Sequence, residues 1–303
     1  MRKLTPITDD PISFINSVIN RTKKRKDDDN YDEGHKFKDR CNAQVAAHKN
    51  YIEKYKIEFD KDTLKNLVGR HPNLTDTEKQ EFQSLYSYNK NPIKRLRNQV
   101  LTENGYLNEF CPLCGVNLVN TIDHYIPQED YPLFVVHPLN LIPSCTQCNG
   151  RKSDTILENG IRKFWNAYLD IPPEDQYLKC DVKIGLNGIV DVDFRLEQGK
   201  IPDKQFRLLE HTMGNDGQKV LSVYKATSGK IIMNFIRTVV KYVKNNSPMR
   251  TFGDCLKDLS DIIEDDFEVN DYECVIKQAL INSPIFHNNL KETLAKENVH
   301  FVE

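Results

Sequence analysis

The chain has 303 residues, of which 39% are hydrophobic and 28% charged, with a formal net charge of −2. No apolar run approaches the ~18 residues of a membrane helix, and the basic start Met1-Arg2-Lys3 is followed by no apolar core, so the reading is no membrane span, no signal peptide and a cytoplasmic location. The near-neutral total excludes a generally polycationic binder but hides local asymmetry: Lys90, Lys94, Arg95 and Arg97 occur with no acid between positions 90 and 100, and eight acids with no Lys or Arg between Asp258 and Glu273.

Residues 1–105 read as a helical region. Asp10-Pro11 is an N-cap and first-turn pair for a helix to about Thr22. The charged stretch 22–40 reads as a solvated linker or helix face, with a phosphate-contacting arm as the minority reading. Residues 41–56 return to helical composition. Thr75-x-x-Glu78 is a capping-box pattern opening a helix to about Tyr88. Asn91-Pro92 opens another toward Thr102, which carries the basic cluster up to Cys111. A central module spans 106–170. Its last part, from Asn149 to about Leu169, has helical spacing through Ile156, Ile161, Phe164, Trp165 and Tyr168. Residues 171–303 form a third region. In it, 179–199 alternates about Gly185-Leu186-Asn187-Gly188 as a hairpin does, and 203–300 reads as several helices, the longest about 217–244. The expected fold is mainly α with a small α+β part. Ser228-Gly229-Lys230 imitates the end of a phosphate loop, but Tyr224 and Ile231 stand where that motif needs Gly and Ser or Thr, so ATP binding by that route is excluded.

Four of the eight cysteines form two Cys-x-x-Cys pairs, Cys111/Cys114 and Cys145/Cys148. In a large chain without a signal peptide this is metal spacing rather than a disulfide framework. Two such turns complete a tetrahedral zinc shell and leave no open position for a reactive water, so the zinc is structural. The thirty residues between Cys114 and Cys145 must hold ordered structure, most simply a β-hairpin tied at its ends by the metal. Cys41, Cys180, Cys255 and Cys274 read as ordinary buried thiols.

Inside the staple, Asp123-His124 sets a hard carboxylate beside an imidazole. On an extended strand the two would point to opposite faces, so a bend is needed if both serve one site. In a phosphodiesterase the carboxylate holds a divalent cation, and the neutral imidazole takes a proton from the attacking water. The Asn149 amide oxygen can join Asp123 on the cation and leave positions for water and phosphate, as Mg²⁺ prefers. The Asn140 amide can clamp the loop carrying His124. Arg151 and Lys152, in the first turn of the following helix, can reach a phosphate.

The pattern Asp123-His124-x-x-Pro127, Asn140-Leu141-x-Pro143-x-Cys145-x-x-Cys148-Asn149-x-x-Lys152 resembles the HNH endonucleases of the ββα-metal group over about forty-five residues. The resemblance implies a zinc-stapled ββα-metal module embedded between helical regions. It implies His124 as general base, Asp123 and Asn149 as ligands of a catalytic Mg²⁺ or Mn²⁺, Asn140 as the orienting residue, and Cys111, Cys114, Cys145 and Cys148 as ligands of a structural Zn²⁺. Asn149 stands where many members carry His, which favours an oxygen-seeking cation. The wider layout resembles the HNH nuclease subunits (PtuB) of Septu-type or retron-linked antiphage defence systems. That resemblance implies a separate ATPase subunit as partner and a nucleic-acid substrate, DNA before tRNA.

His137 and His48 read as structural histidines, and Phe164, Trp165 and Tyr168 as core rather than a base-stacking face. Two rivals accompany the active nuclease. One is a zinc-stapled nucleic-acid-binding or scaffold subunit with a vestigial site. The other is an effector gated by its partner, for which the acidic stretch 258–273 offers either a contact or a solvated helix face.

Overall fold

The computed structural model describes residues 1–32, 34–69, 72–150, 152, 156–214, 220–246, 250–266, 269–296 and 299. Contacts divide the chain into two units, Met1–Pro172 and Pro173–Glu303.

In the first unit, α1 (Pro11–Asn20) starts where Asp10 accepts a hydrogen bond from the Ser13 amide at 2.8 Å and Pro11 presets the first turn. The helical stretch expected over 41–56 is two helices, α2 (Phe37–Ala47) and α3 (Lys49–Asp60), parted at His48, whose ψ of 19° leaves the helical range. The Thr75/Glu78 capping box is present at the start of α4 (Asp76–Gln83). That helix ends short of Tyr88, because the chain tightens into bonds from Leu85 N to Phe82 O and Tyr86 N to Gln83 O. The helix at Asn91-Pro92 is α5 (Asn91–Leu101). It runs straight into a small hairpin, β1 (Thr102–Glu103) with β2 (Tyr106–Leu107), turned by Asn104 and Gly105 at φ 50° and 84°.

The central hairpin pairs β3 (Thr121–His124) antiparallel with β4 (Leu141–Ser144), in register from Thr121↔Ser144 to His124↔Leu141. Its connection is no tight turn. It contains two single 3₁₀ turns, Pro132–Phe134 and Pro138–Asn140, and every residue from Tyr131 to Cys145 is buried. Next comes α6 (Thr146–Asn149).

The helix expected from Asn149 to Leu169 is not formed. After α6 the chain makes a second Asn-Gly hairpin, β5 (Leu157–Glu158) with β6 (Ile161–Arg162), turned by Asn159 and Gly160 at φ 50° and 73°. The buried Arg162 then overrides the helical spacing. Its guanidinium clasps Asp170 at 2.7 and 2.9 Å and Asp62 at 2.5 Å, and folds 162–170 back on itself. Phe164, Trp165 and Tyr168 are buried all the same. One core runs through the unit, joining Phe14, Ile15 and Ile19 of α1 and Ile52 and Tyr55 of α3 to Ile122, Phe134, Leu141 and Tyr168. Each such large side chain contributes roughly 1.5–3 kcal/mol by leaving water.

In the second unit the hairpin is β7 (Leu178–Ile184) with β8 (Val190–Leu196), paired from Leu178↔Leu196 to Ile184↔Val190. Among the described residues five helices follow: α7 (Asp203–Met213), α8 (Val220–Asn246), α9 (Phe252–Asp266), α10 (Tyr272–Ile281) and α11 (Pro284–Lys296). Their core gathers Phe235, Val239, Leu256, Ile276, Phe286 and Leu290 around Val192 of β8. Ser228-Gly229-Lys230 lies inside α8, with the buried Ser228 hydroxyl spent on the Lys225 carbonyl at 2.8 Å. Of the acidic stretch 258–273, positions 267 and 268 lie outside the described residues. No helix among the described residues is long and apolar enough to cross a membrane.

Candidate metal centre and active site

Two turns bring the four thiols together. In the first, Cys111-Pro112-Leu113-Cys114-Gly115, the Gly115 amide donates to the Cys111 carbonyl at 2.8 Å and the Cys111 amide to Asn117 O at 2.8 Å. Gly115 closes the turn at φ 70°, where a side chain would be strained. In the second, Cys145 stands at the N-cap position of α6 and Cys148 lies inside it. Thr146 N donates to the Asn120 side chain at 2.9 Å, which ties the second turn to the chain entering β3. All four Sγ atoms lie within 4.8 Å of one another and are buried, with Cys114 and Cys145 at 3.9 Å.

Tetrahedral zinc with bonds of about 2.3 Å requires sulfur separations near 3.8 Å, so this group is suited to a structural zinc ion. Proton sharing within the cluster pulls the Cys114 thiol down to about 7, through its hydrogen bond with Cys111 first, and pushes Cys148 far up. A bound dication removes that conflict by taking four thiolates at once. Cys41, Cys255 and Cys274 are buried thiols outside any disulfide, and Cys180 is half-buried.

The cysteine turns flank the open end of the β3–β4 hairpin, and Asp123 and His124 lie toward its other end. Asp123 is buried on β3, and His124 is the strand's last residue. The His124 ring meets Tyr86 edge-on, with centroids 4.6 Å apart, and its Nε2 lies 2.9 Å from the Val135 carbonyl oxygen. A carbonyl can only accept, so Nε2 carries the proton and Nδ1 keeps its lone pair. Burial lowers the imidazole from 6.5 to about 4, against the upward pull of the Asp123 charge.

Asn140 is wholly buried, and every polar atom of its side chain is used. Its Oδ1 accepts from Tyr55 OH at 2.9 Å and Ile126 N at 2.7 Å. Its Nδ2 donates to Ile126 O at 3.0 Å and Phe134 O at 3.1 Å. The Asn140 carbonyl also accepts from Tyr125 N at 2.9 Å. The residue therefore staples both sides of the loop that begins at His124 and ends at β4. His137 stacks on Tyr55 with centroids 4.3 Å apart, deep in the same core.

Asn149, at the end of α6, turns its amide toward β3, with Nδ2 at 3.4 Å from Thr121 Oγ1 and 3.3 Å from Ile122 O. Lys152 reaches back to the same strand. Its ammonium lies 2.9 and 3.1 Å from the two Asp123 carboxylate oxygens, and 2.8 Å from each of the His124 and Tyr125 carbonyls. Arg151 lies outside the described residues. The structure thus brings Asp123, Asn149 and Lys152 to β3, sets His124 at its end and keeps Asn140 behind them.

Asp123 and Asn149 carry hard oxygens of the class that Mg²⁺ or Mn²⁺ takes, and both Asp123 oxygens are held here by the Lys152 ammonium. Among the described residues the cysteines are the one converging group of three or more Cys, His, Asp or Glu.

Tyr55, Tyr86 and the Val135 carbonyl complete the site and were not foreseen, because their contacts to Asn140 and His124 join segments with no shared spacing pattern. The basic cluster of α5 is partly turned to internal use. Lys90 donates to Thr22 Oγ1 at 2.9 Å and Leu85 O at 2.6 Å, Arg97 lies over the Tyr88 ring at 4.4 Å, and Arg95 pairs with Asp9.

Among known proteins, the chain is 27% identical over 237 residues to protein ea31 of Escherichia phage lambda, covering 72% of this chain and 76% of that one. It is 48% identical over 31 residues to the Septu protein PtuB of Bacillus thuringiensis, covering 10% of this chain and 12% of that one. No family model matches the chain, and no solved structure matches it.

Proposed function

We propose that the chain is a metal-dependent HNH endonuclease that hydrolyses phosphodiester bonds, and that it acts as the effector of a bacterial antiphage defence system with a separate ATPase subunit. The observation that carries the reading is His124, a half-buried neutral imidazole at a strand end whose Nε2 is fixed on the Val135 carbonyl, which leaves the lone pair on Nδ1. The short similarity to a Septu protein supports the defence role.

In this reading Nδ1 of His124 accepts the proton of the attacking water, and the Val135 carbonyl keeps the ring in the required tautomer. Asn140 acts at one remove, by fixing the loop that follows His124. Asp123 and Asn149 hold the Mg²⁺ or Mn²⁺, which when bound supplies Lewis acidity at the phosphate. Lys152 and Arg151 neutralise phosphate charge. The four cysteines and their zinc set the strand end in place and take no part in proton transfer. The Asp123–Lys152 ion pair favours one second reading, a nucleic-acid-binding subunit whose cleavage site stays gated until a partner opens it.

The test is cleavage of plasmid DNA and of total tRNA with Mg²⁺ or Mn²⁺, by the intact protein and by His124→Ala. The expected result is metal-dependent cutting of DNA, falling by at least 10²-fold in the variant with its zinc content unchanged. Cutting by His124→Ala at the rate of the intact protein sinks the assigned base.

A further inference from the structure

Lys152 holds a position that a bound ion would hold. Four oxygens surround its Nζ at 2.8 to 3.1 Å: both carboxylate oxygens of Asp123 and the carbonyls of His124 and Tyr125. The Tyr125 ring lies 4.8 Å from it, and both members of the ion pair are nearly buried. A carboxylate and two aligned carbonyls form the kind of oxygen set that receives a hard cation. A divalent ion bound by Asp123 would lie within a few ångströms of this ammonium in a poorly solvated place. Three positive charges cannot share one carboxylate there without strong repulsion.

We infer that Lys152 is a tethered cation that occupies the Asp123 site in the metal-free protein and is displaced from it when the divalent ion binds. The inference rests on the reading of Asp123 as a cation ligand. Its consequence is an exchange in which the entering dication replaces a monovalent ammonium, and the ammonium is released for an anionic phosphate. Metal loading and phosphate affinity are then coupled, each favouring the other.

Mn²⁺ binding to the zinc-loaded full chain, followed by electron paramagnetic resonance, tests the exchange without any turnover. Lys152→Met removes the competing charge and keeps much of the side-chain bulk. It is expected to bind Mn²⁺ at least tenfold more tightly than the unaltered protein. Equal or weaker binding by the folded variant overturns the inference. Asp123→Asn separates the two levels of argument. If it binds Mn²⁺ as well as the unaltered protein does, the cation is not at Asp123, and the site assignment fails together with this inference. If binding is lost in Asp123→Asn but unchanged in Lys152→Met, only the exchange fails. Should Lys152→Met not fold, the unaltered chain with ¹⁵N-labelled lysine gives the answer. A protected ammonium resonance, identified by its absence from Lys152→Arg, is expected to vanish on saturation with Mg²⁺. Its persistence at saturation overturns the exchange.

Discussion

His137 is wholly buried and His124 half-buried, and desolvation pushes both imidazoles down, to about 3 and about 4 respectively. A histidine held neutral in the fold but free to protonate in the unfolded chain makes stability depend on pH, and the sign follows from the two states. Below pH 6.5 the unfolded chain takes up protons that the folded chain refuses. Stability present above 6.5 is therefore lost as pH falls toward the folded values. At pH 5 the loss is about 2 kcal/mol for each such histidine. The urea midpoint is accordingly expected to drop between pH 7 and pH 5, and to drop less in His137→Gln. An equal drop in that variant would show that His137 does not titrate as assigned. At this scale spacing along the chain singles out Asp123, His124, Asn140 and Asn149 as candidates, which the structure places on or beside the β3–β4 hairpin and whose roles belong to the proposal. The sequence was silent on Tyr55 and on the Val135 carbonyl, whose contacts to Asn140 and His124 exist only once α3 and the 125–140 connection are packed.

The β3–β4 hairpin is short, and a two-stranded pair of this kind is marginal by itself. The cysteine turns close one end and the Asn140 staple the other. Cys145 stands at the N-cap position of α6 without a capping bond from its side chain, so its contribution is as a thiol of the cluster. Cys145→Ser is therefore expected to lower the melting temperature by more than 10 °C and to release zinc, a shift of a few kcal/mol at this size. A soluble Cys145→Ser protein that melts like the unaltered one would remove the structural role of the metal. The cysteine pairs and the Gly185–Gly188 turn were legible because their chemistry is local. The 149–169 segment was not, because Ile156, Phe164, Trp165 and Tyr168 are buried in either a helix or a folded-back loop, and helical spacing alone does not separate the two. The Asn159-Gly160 pair was the available signal, as Asn104-Gly105 was for the first hairpin. Arg162 with Asp62 and Asp170 then decides the matter through a contact one hundred residues apart in the chain.

At the scale of the whole molecule, the chain's two units each own a hydrophobic core, and the β3–β4 hairpin shares its core with the amino-terminal helices. The backbone of Leu4 bonds to the Ala167 carbonyl at 2.7 Å, so the first unit is closed across its full length. Residues 1–172 are expected to fold as a separate fragment that binds one zinc and melts in a single cooperative transition. A fragment that stays unfolded with zinc supplied would show that 173–303 is required for the first unit to form. The buried run from Tyr131 to Cys145 has a further consequence for how such a protein can diverge. Connections between strands ordinarily absorb insertions and drift. Here the connection is interior from Tyr131 onward, and residues added within that part would tear Asn140 from Tyr55, Ile126 and Phe134 together, whereas Glu129 and Asp130 just before it are exposed. Change in chain length is thereby channelled away from the buried run and into the exposed Asn104-Gly105, Glu129-Asp130 and Asn159-Gly160 positions.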